Sequence, residues 1–311
     1  MQNPVYAMQS KASPIHLSGS LLLFPGSSGS VPPAALKNPM GQDMELLEVK
    51  FELSLVTAIT GAENIPAGAS IWCELMMGGN KLTNGAIPVW NYGRAENIEG
   101  EYKRDTTSGR EFLAYSWRLP RPLFIPAGAV VIPKFTHTGL FPGAISVRIG
   151  YSARTVFTKP KVVYMPWVAK YVSKAFNPIT AAGTDASSEL DLVNPHPEVL
   201  HLQRFTGRLY TSRGTTAAGP STADIAPEIG GLYLFARMSD SYGRPIVRSY
   251  TPFQSVFEGV GQSWEMDGAT LDPEAFFVVN LRKDALSTTV YPSAQTQAFV
   301  SMVGWRELEL A

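Results

Sequence analysis

The sequence predicts an all-β protein in which one β-sandwich plan occurs twice in tandem. Three observations support this prediction. The 311 residues include 27 glycines and 24 prolines, which favours many turns and few long helices. Several short runs alternate apolar and polar side chains, as half-buried strands do. The second half of the chain also repeats the order of elements in the first half.

Composition excludes several functional classes. Charged residues make up 17% of the chain, and 26 basic and 26 acidic side chains cancel, so binding of nucleic acid through a basic surface is not expected. A hydrophobic content of 45% excludes global disorder. Cys73 stands alone, which excludes an internal disulfide or a zinc–cysteine module and favours a reducing compartment. The pattern predicts neither a membrane-spanning helix nor a signal peptide.

Residues 1–43 are predicted to form an N-terminal arm. This segment is rich in Ser, Gly and Pro, and its only charged residues are Lys11, Lys37 and Asp43. Its apolar stretch is expected to become ordered only against another surface. The candidate assembly residues in the arm are Ile15, Leu21, Leu22, Leu23 and Phe24.

Residues 44–158 are predicted to form the first sandwich. Its opening strand begins near Glu45, where Leu47, Val49 and Phe51 alternate with charged side chains. Turn residues separate further strands, which are Ile71–Met77, Ile87–Asn91, Phe112–Arg118, Ala129–Thr136 and Ile145–Ala153.

Residues 159–198 are predicted to form a linker that contains one short amphipathic helix. Pro166 suits a first helical position, and the residues after it place apolar side chains on one side, which are Trp167, Val168, Tyr171, Val172 and Phe176. The lysines of this region could make the helix interfacial, touching lipid head groups; they are Lys159, Lys161, Lys170 and Lys174. Packing across one end of a sandwich, with the lysines reaching solvent, is the preferred interpretation.

Residues 199–311 are predicted to form the second sandwich. Its strands are Val199–Thr211, Leu232–Met238, Arg244–Tyr250, Ser263–Met266, Ala275–Leu281 and Ala298–Trp305. The opening strand is expected to carry a bulge, because its apolar phase shifts between Leu202 and Phe205 and it contains Gly207.

The repeat is anchored by three residue pairs. Trp117 corresponds to Trp264 and Pro126 to Pro273, both 147 residues apart, and Gly150 corresponds to Gly304 before an aromatic residue. Six to eight short strands in about 110 residues favour a jelly roll in each copy, with both tryptophans filling the core. An immunoglobulin-like sandwich is less favoured, since the cysteine pair it often carries is missing.

Catalytic signatures are missing from the sequence, so no enzyme, cofactor or metal site is predicted. No phosphate-binding loop, dinucleotide fingerprint, H-E-x-x-H or G-x-S-x-G occurs. The four histidines are interpreted as ordinary surface or packed residues; they are His16, His137, His196 and His201. Two acidic clusters could hold Ca²⁺ but lack a specific loop spacing; they are Glu96, Glu99, Glu101 and Asp105, and Asp185, Glu189 and Asp191.

Taken together, these features resemble the double jelly-roll major capsid proteins of tailless icosahedral viruses, in a compact bacteriophage type related to adenovirus hexon. The resemblance covers residues 44–306. It implies homotrimers of pseudo-hexagonal outline that tile a virion shell and are assembled in the host cytoplasm. It further implies, as other partners, minor capsid or penton proteins and an internal membrane surface.

Two other functions fit the pattern less well. A carbohydrate-binding, lectin-like double sandwich, such as a virion spike or attachment protein, could stack sugars on Trp72, Trp90, Tyr92 and Tyr233. A cupin-type enzyme would need clustered metal-binding histidines and carboxylates, which the chain does not supply.

Overall fold

The computed structural model of the chain describes most of its residues. These are 13–56, 70–83, 85–92, 94–95, 112–139, 141–168, 172–176, 186–213, 234–258, 264–265, 268–283 and 294–309. Within them lie twenty strands, one four-residue α-helix, a 3₁₀ turn at Val89–Asn91 and a π-helical turn at Gln254–Glu258. The predicted all-β class is confirmed.

The first sandwich contains ten strands and the helix α1, Pro33–Leu36. One sheet has the order β1-β10-β3-β8-β7, and the facing sheet has the order β2-β9-β4-β5, with β6 paired to β4. The bounds are β1 Pro14–Leu23, β2 Ser28–Ser30, β3 Met44–Leu55, β4 Ile71–Met77, β5 Asn80–Lys81, β6 Ile87–Pro88, β7 Arg94–Ala95, β8 Phe112–Ile125, β9 Val131–His137 and β10 Ile145–Thr155.

The second sandwich repeats this arrangement. One sheet has the order β11-β20-β14-β17, with β12 paired to β20 and β18 to β14, and the other has the order β13-β19-β15-β16. The bounds are β11 Val162–Val168, β12 Val172–Phe176, β13 Ala186–Val193, β14 Leu200–Arg213, β15 Leu234–Asp240, β16 Pro245–Pro252, β17 Trp264–Glu265, β18 Thr270–Leu271, β19 Phe276–Lys283 and β20 Ala294–Glu309.

Each sandwich has jelly-roll topology. The first strand pairs with the last one, β1 with β10 and β11 with β20. In the first sandwich the principal strands alternate between the facing sheets, with β1, β3, β8 and β10 in one sheet and β2, β4 and β9 in the other. Alternating side chains of both sheets meet in the core, where Trp117, Tyr115 and Phe51 are fully buried in the first sandwich. Two tandem jelly rolls are therefore confirmed.

The predicted N-terminal arm is wrong for residues 14–36, because they belong to the first sandwich. Strand β1 pairs with β10 over ten residues, and Ile15, Leu17 and Leu23 are buried in that sandwich's own core. Ser and Gly in this segment suggested irregular structure, yet Gly19 is required by packing: a Cβ there would lie 2.1 Å from Val31 Cγ1. The first sandwich thus begins at β1 and not at residue 44.

The predicted helix at Pro166–Phe176 is also wrong, since β11 and β12 occupy this region. In β11 the buried Val163 and Met165 alternate with the half-buried Val162 and Tyr164, which is the period of a strand. Pro166 lies in an edge strand, where a missing N–H is tolerated. Lys170 and Tyr171 lie outside the described residues.

Strands β3 and β14, which the sequence predicted as the opening strands of the two copies, carry a bulge at the same place. The pairing of β14 with β20 shifts between Leu202 and Arg204, and that of β3 with β10 shifts between Leu46 and Glu48. The expected irregularity in the second copy is therefore present, five residues before Gly207. Its counterpart in the first copy was not predicted.

Candidate assembly surface

The two tryptophans of the repeat occupy equivalent backbone positions. When the two bulges are superposed, Val49 of β3 and Phe205 of β14 hold the same place. Trp117 pairs with Val49, and Trp264 pairs with Phe205. The sequence correspondence that supported the duplication is thus reproduced by strand register.

The other two anchor pairs are displaced. The carbonyl of Pro126 accepts from the amide of Ala129, and the equivalent turn runs from Asp272 to Ala275, so Pro126 matches Asp272 rather than Pro273. The third residue of each turn has positive φ, Gly128 at 85° and Glu274 at 62°.

The glycine pair is displaced further. Gly304 opposes Leu202, next to the bulge, and its register counterpart in the first copy is Ala153, which opposes Leu46. Gly150 instead matches Ser301. A Cβ on Gly304 would lie 2.3 Å from the carbonyl oxygen of His201, whereas one on Gly150 would meet nothing closer than 3.9 Å. Only Gly304 is required by packing.

A fourth anchor pair was missed by the sequence analysis. Asn38 and Asn194 are both buried and precede the opening strand by the same distance. Each side-chain nitrogen donates to the carbonyl four residues on, of Gln42 and of Glu198, and each side-chain oxygen accepts from the amide two residues on. The signal was the shared Asn-Pro-x-x-Gln/Glu, which lay inside the segments interpreted as arm and linker.

The two sandwiches contact each other through different strands of the shared plan. The β8 side of the first sandwich packs on β11 of the second. The guanidinium of Arg121 lies 5.6 Å from the Tyr164 ring centroid and 5.3 Å from that of Trp305. The His201 ring stacks on the Trp305 ring, and their centroids lie 4.1 Å apart. Cation–π contacts of this kind join the copies.

Backbone groups complete this contact. The amide of Val168 donates to the carbonyl of Leu82 at 3.2 Å, and Thr83 and Val168 form a parallel bridge. The guanidinium of Arg204 donates to the carbonyl of Tyr92 at 2.6 Å. Val163 and Val303 belong to the core cluster of the first sandwich. At this junction, edge strand β11 of the second sandwich therefore contacts β8 and the Leu82–Thr83 segment of the first sandwich.

The candidate assembly residues of the N-terminal segment divide by their position on β1. Ile15 and Leu23 point into the core, and Leu21 packs partly against it. Leu22 is 48% exposed and Phe24 is 59% exposed. The exposed pair leaves apolar surface at one end of the first sandwich, and a role of these residues in assembly stays a prediction.

His137, His196 and Cys73 are held within the fold. His137 accepts from the Gly139 amide at Nδ1, so its Nε2 carries the proton and donates to the Gly143 carbonyl; burial lowers its pKa. Burial and the nearby Arg306 lower the pKa of His196 to about 4. Burial raises the pKa of the Cys73 thiol.

Other candidate sites are not assembled by the structure. No group of three metal-binding side chains occurs among the described residues. Glu189 and Asp191 are exposed on β13, and the remaining predicted acidic residues are outside the described part. Trp90 and Tyr92 are fully buried and cannot stack on a sugar, while Trp72 is half-buried and Tyr233 is not described. In the described chain, no helix has the length and apolar character needed to cross a membrane.

Comparison with known proteins finds likeness at the level of structure. No protein-family model matches the chain, and neither does any curated protein sequence. The major capsid protein of bacteriophage PM2 is 15% identical, with 94% of this chain and 98% of that chain covered and a TM-score of 0.34. The Sputnik virophage structure is 8% identical, with 99% and 91% covered and a TM-score of 0.40.

The mavirus major capsid protein is 8% identical, with 93% of this chain and 83% of that chain covered and a TM-score of 0.34. The predicted resemblance to viral major capsid proteins is therefore confirmed as a similarity. Because identities and TM-scores are low, the assignment of two jelly rolls rests on the sheets of this chain.

Proposed function

We propose that this chain is a structural major capsid protein, without enzymatic activity, that forms homotrimers and tiles a virion shell. The observation that carries the proposal is the junction between the sandwiches. One jelly-roll plan is present twice, and the copies meet head to tail, with the β8 side of the first against β11 of the second. Such a contact can be repeated, because the counterpart of each contacting surface exists on the other copy.

Three chains joined in this way would place six similar sandwiches around one axis. A ring of this kind has threefold symmetry by chain and nearly sixfold symmetry by shape, so it packs among six neighbours. Low charge over the whole chain favours burial of its surface in such an assembly. The two sandwich domains would comprise residues 13–156 and 162–309, with a short connection between them. Further partners would be minor capsid or penton proteins and an internal membrane, in a virion assembled in the host cytoplasm.

The proposal is tested by the mass and shape of the purified chain. Light scattering after size exclusion is expected to give three times the chain mass of 33.8 kDa, and negative-stain images should show plates of hexagonal outline. Concentrated protein, alone or with its virion partners, is expected to form curved sheets or shells. A monomer at all concentrations, with no particles, would overturn the proposal.

A further inference from the structure

We propose that strand β1 of one chain packs against the second sandwich of a neighbouring chain, with His16 beside Arg248 of that neighbour. The partner is thus a second copy of this chain. The contact would repeat, between chains, the one that Val168 makes with Thr83 within the chain. This inference rests on the proposed function and names the surfaces that hold the trimer together.

The first step is that β1 and β11 are counterparts. Both are edge strands paired with the closing strand of their sandwich. Pro14 opposes Arg154, the residue after Ala153, and Pro166 opposes Trp305, the residue after Gly304. Since Ala153 and Gly304 are equivalent, the two prolines are equivalent, and two residues further on His16 is the counterpart of Val168.

The second step concerns the surface that Val168 contacts. Leu82 donates its amide to the carbonyl of Leu75 on β4, and Thr83 follows it. Val131 and Phe277 hold the same place after the two equivalent turns. Met77 opposes Val131 and Asp240 opposes Phe277, so Met77 and Asp240 are counterparts. Two residues earlier on each strand, Met238 of β15 is therefore the counterpart of Leu75. Val247 opposes Met238. Val247 and Arg248 therefore correspond to Leu82 and Thr83.

The third step is that β1 is suited to contact another chain. It pairs with β10 on one side over ten residues without a bulge, and among the described residues no strand pairs with its other side. Long edge strands are usually protected by charge, bulges or short length. Strand β1 has none of these, and its outward side chains His16, Ser18 and Leu22 are exposed. By contrast, the edge strand β13 carries Glu189 and Asp191.

The fourth step identifies the occupant. Helix α1 lies against the inner side of β1, where Gly19 faces Val31 and Ala35, so it leaves the outward side at His16 uncovered. The counterpart side of β11 is covered by the first sandwich of the same chain. A neighbouring second sandwich, which offers the exposed Arg248 on edge strand β16, matches what β11 already binds. Repetition of one contact around a closed ring requires this pairing.

Disulfide trapping tests the contact. Bridged strands lie about 5 Å apart, which is within reach of a disulfide. The only natural cysteine, Cys73, is buried, and its background reactivity should be low. The full chain carrying both His16→Cys and Arg248→Cys, oxidised with diamide, is expected to run as a covalent trimer on a non-reducing gel. The matched control pairs Ser30→Cys with Arg248→Cys and should stay uncrosslinked, because β13, the counterpart of β2, pairs with β19 rather than with the first sandwich.

Each outcome is decisive. A wild-type trimer whose double variant fails to crosslink would overturn the β1 contact and leave the proposed function standing. A covalent dimer from His16→Cys alone would show a symmetric contact between two β1 strands and would also overturn it. A monomeric wild type would overturn both proposals. As a second measurement, His16→Arg, which sets a second guanidinium beside Arg248, is expected to weaken the trimer at least tenfold in dissociation constant, with unchanged circular dichroism, whereas Ser30→Arg should leave it intact.

Discussion

The two sandwiches share their backbone joints and differ in the side chains between them. Both have a bulge in the matching strands β3 and β14, and both have a buried asparagine before that strand. Both also have a residue with positive φ in the turn before β9 or β19. In the core, however, Val49 opposite Tyr151 is replaced by Phe205 opposite Met302. The first copy pairs a small side chain with a large one and the second copy pairs two large ones, so this core position accepts different apolar residues.

A duplicated fold is thus preserved first where the backbone has no alternative conformation. A core position accepts several apolar residues if the total volume is kept. A tight turn or a buried polar junction accepts few, because a lost hydrogen bond cannot be replaced by packing. Tight turns and buried polar residues are therefore the features that the two copies share. Four changes to the chain test this explanation.

Deletion of residues 1–40 is expected to have the largest effect. It removes β1 and β2, and with them five buried apolar side chains, which are Ile15, Leu17, Leu23, Val31 and Leu36. Each contributes about 1.5 to 3 kcal/mol on burial, so the first sandwich should not fold. Solubility and near-ultraviolet circular dichroism provide the measurement. Soluble, native-like protein after this deletion would show that β1 is dispensable.

The two buried asparagines are expected to contribute unequally to the free energy of unfolding. The side-chain nitrogen of Asn194 lies 3.0 Å from the carbonyl oxygens of Glu198 and Leu271 and 3.2 Å from that of Asp272. Among the described residues, Asn38 donates to the carbonyl of Gln42 alone, at 2.8 Å. Asn194→Ala should lower the free energy of unfolding by about 3 kcal/mol and Asn38→Ala by about 1.5 kcal/mol, measured in urea. Equal losses would contradict the difference.

The two glycines of the sequence repeat are expected to respond unequally. Gly304→Ala brings a methyl group against the backbone at His201, which cannot move as a side chain can. A loss of about 2 kcal/mol is expected from overpacking. Gly150→Ala is the matched control, with ordinary contacts, and should change stability by less than about 0.5 kcal/mol. Thermal melts of both variants decide, and tolerance of Gly304→Ala would argue for flexibility at the bulge.

The smallest effect concerns pH and distinguishes the second copy from the first. The pKa of His196 is about 4 in the folded state, below its usual 6.5, because of burial and Arg306. As pH falls below 6.5 the unfolded chain takes up this proton first, so stability is lost between about pH 6.5 and 4 and is unaffected above. Solvent screening of this half-exposed group limits the effect to less than about 1 kcal/mol.

The control for this prediction is His196→Gln, which should reduce the difference in melting temperature between pH 7.5 and pH 5. Part of the difference should remain, because burial also lowers the pKa of His137. An unchanged pH dependence in the variant would show that His196 is protonated equally in both states.

One strand in each copy, β1 in the first and β11 in the second, was not predicted from the sequence, for the same physical reason. The alternation at Glu45–Thr57 was readable because one face is buried and the other carries charges. Strand β1 carries no charge, and β11 combines Pro166 with aromatic residues, so local patterns indicated a loop and a helix. Pairing with β10 and β20, more than a hundred residues away, decided both. Partner strands override weak local preferences.

By itself, the order of residues determined the strand class, the duplication and the equivalence of Trp117 and Trp264, because alternation and turn residues act over a few neighbours. Tertiary structure alone decided where each sandwich begins, which glycine is required, and how the copies meet. Those features depend on contacts between residues distant in the chain, as between Val168 and Leu82, and no local pattern encodes such a contact.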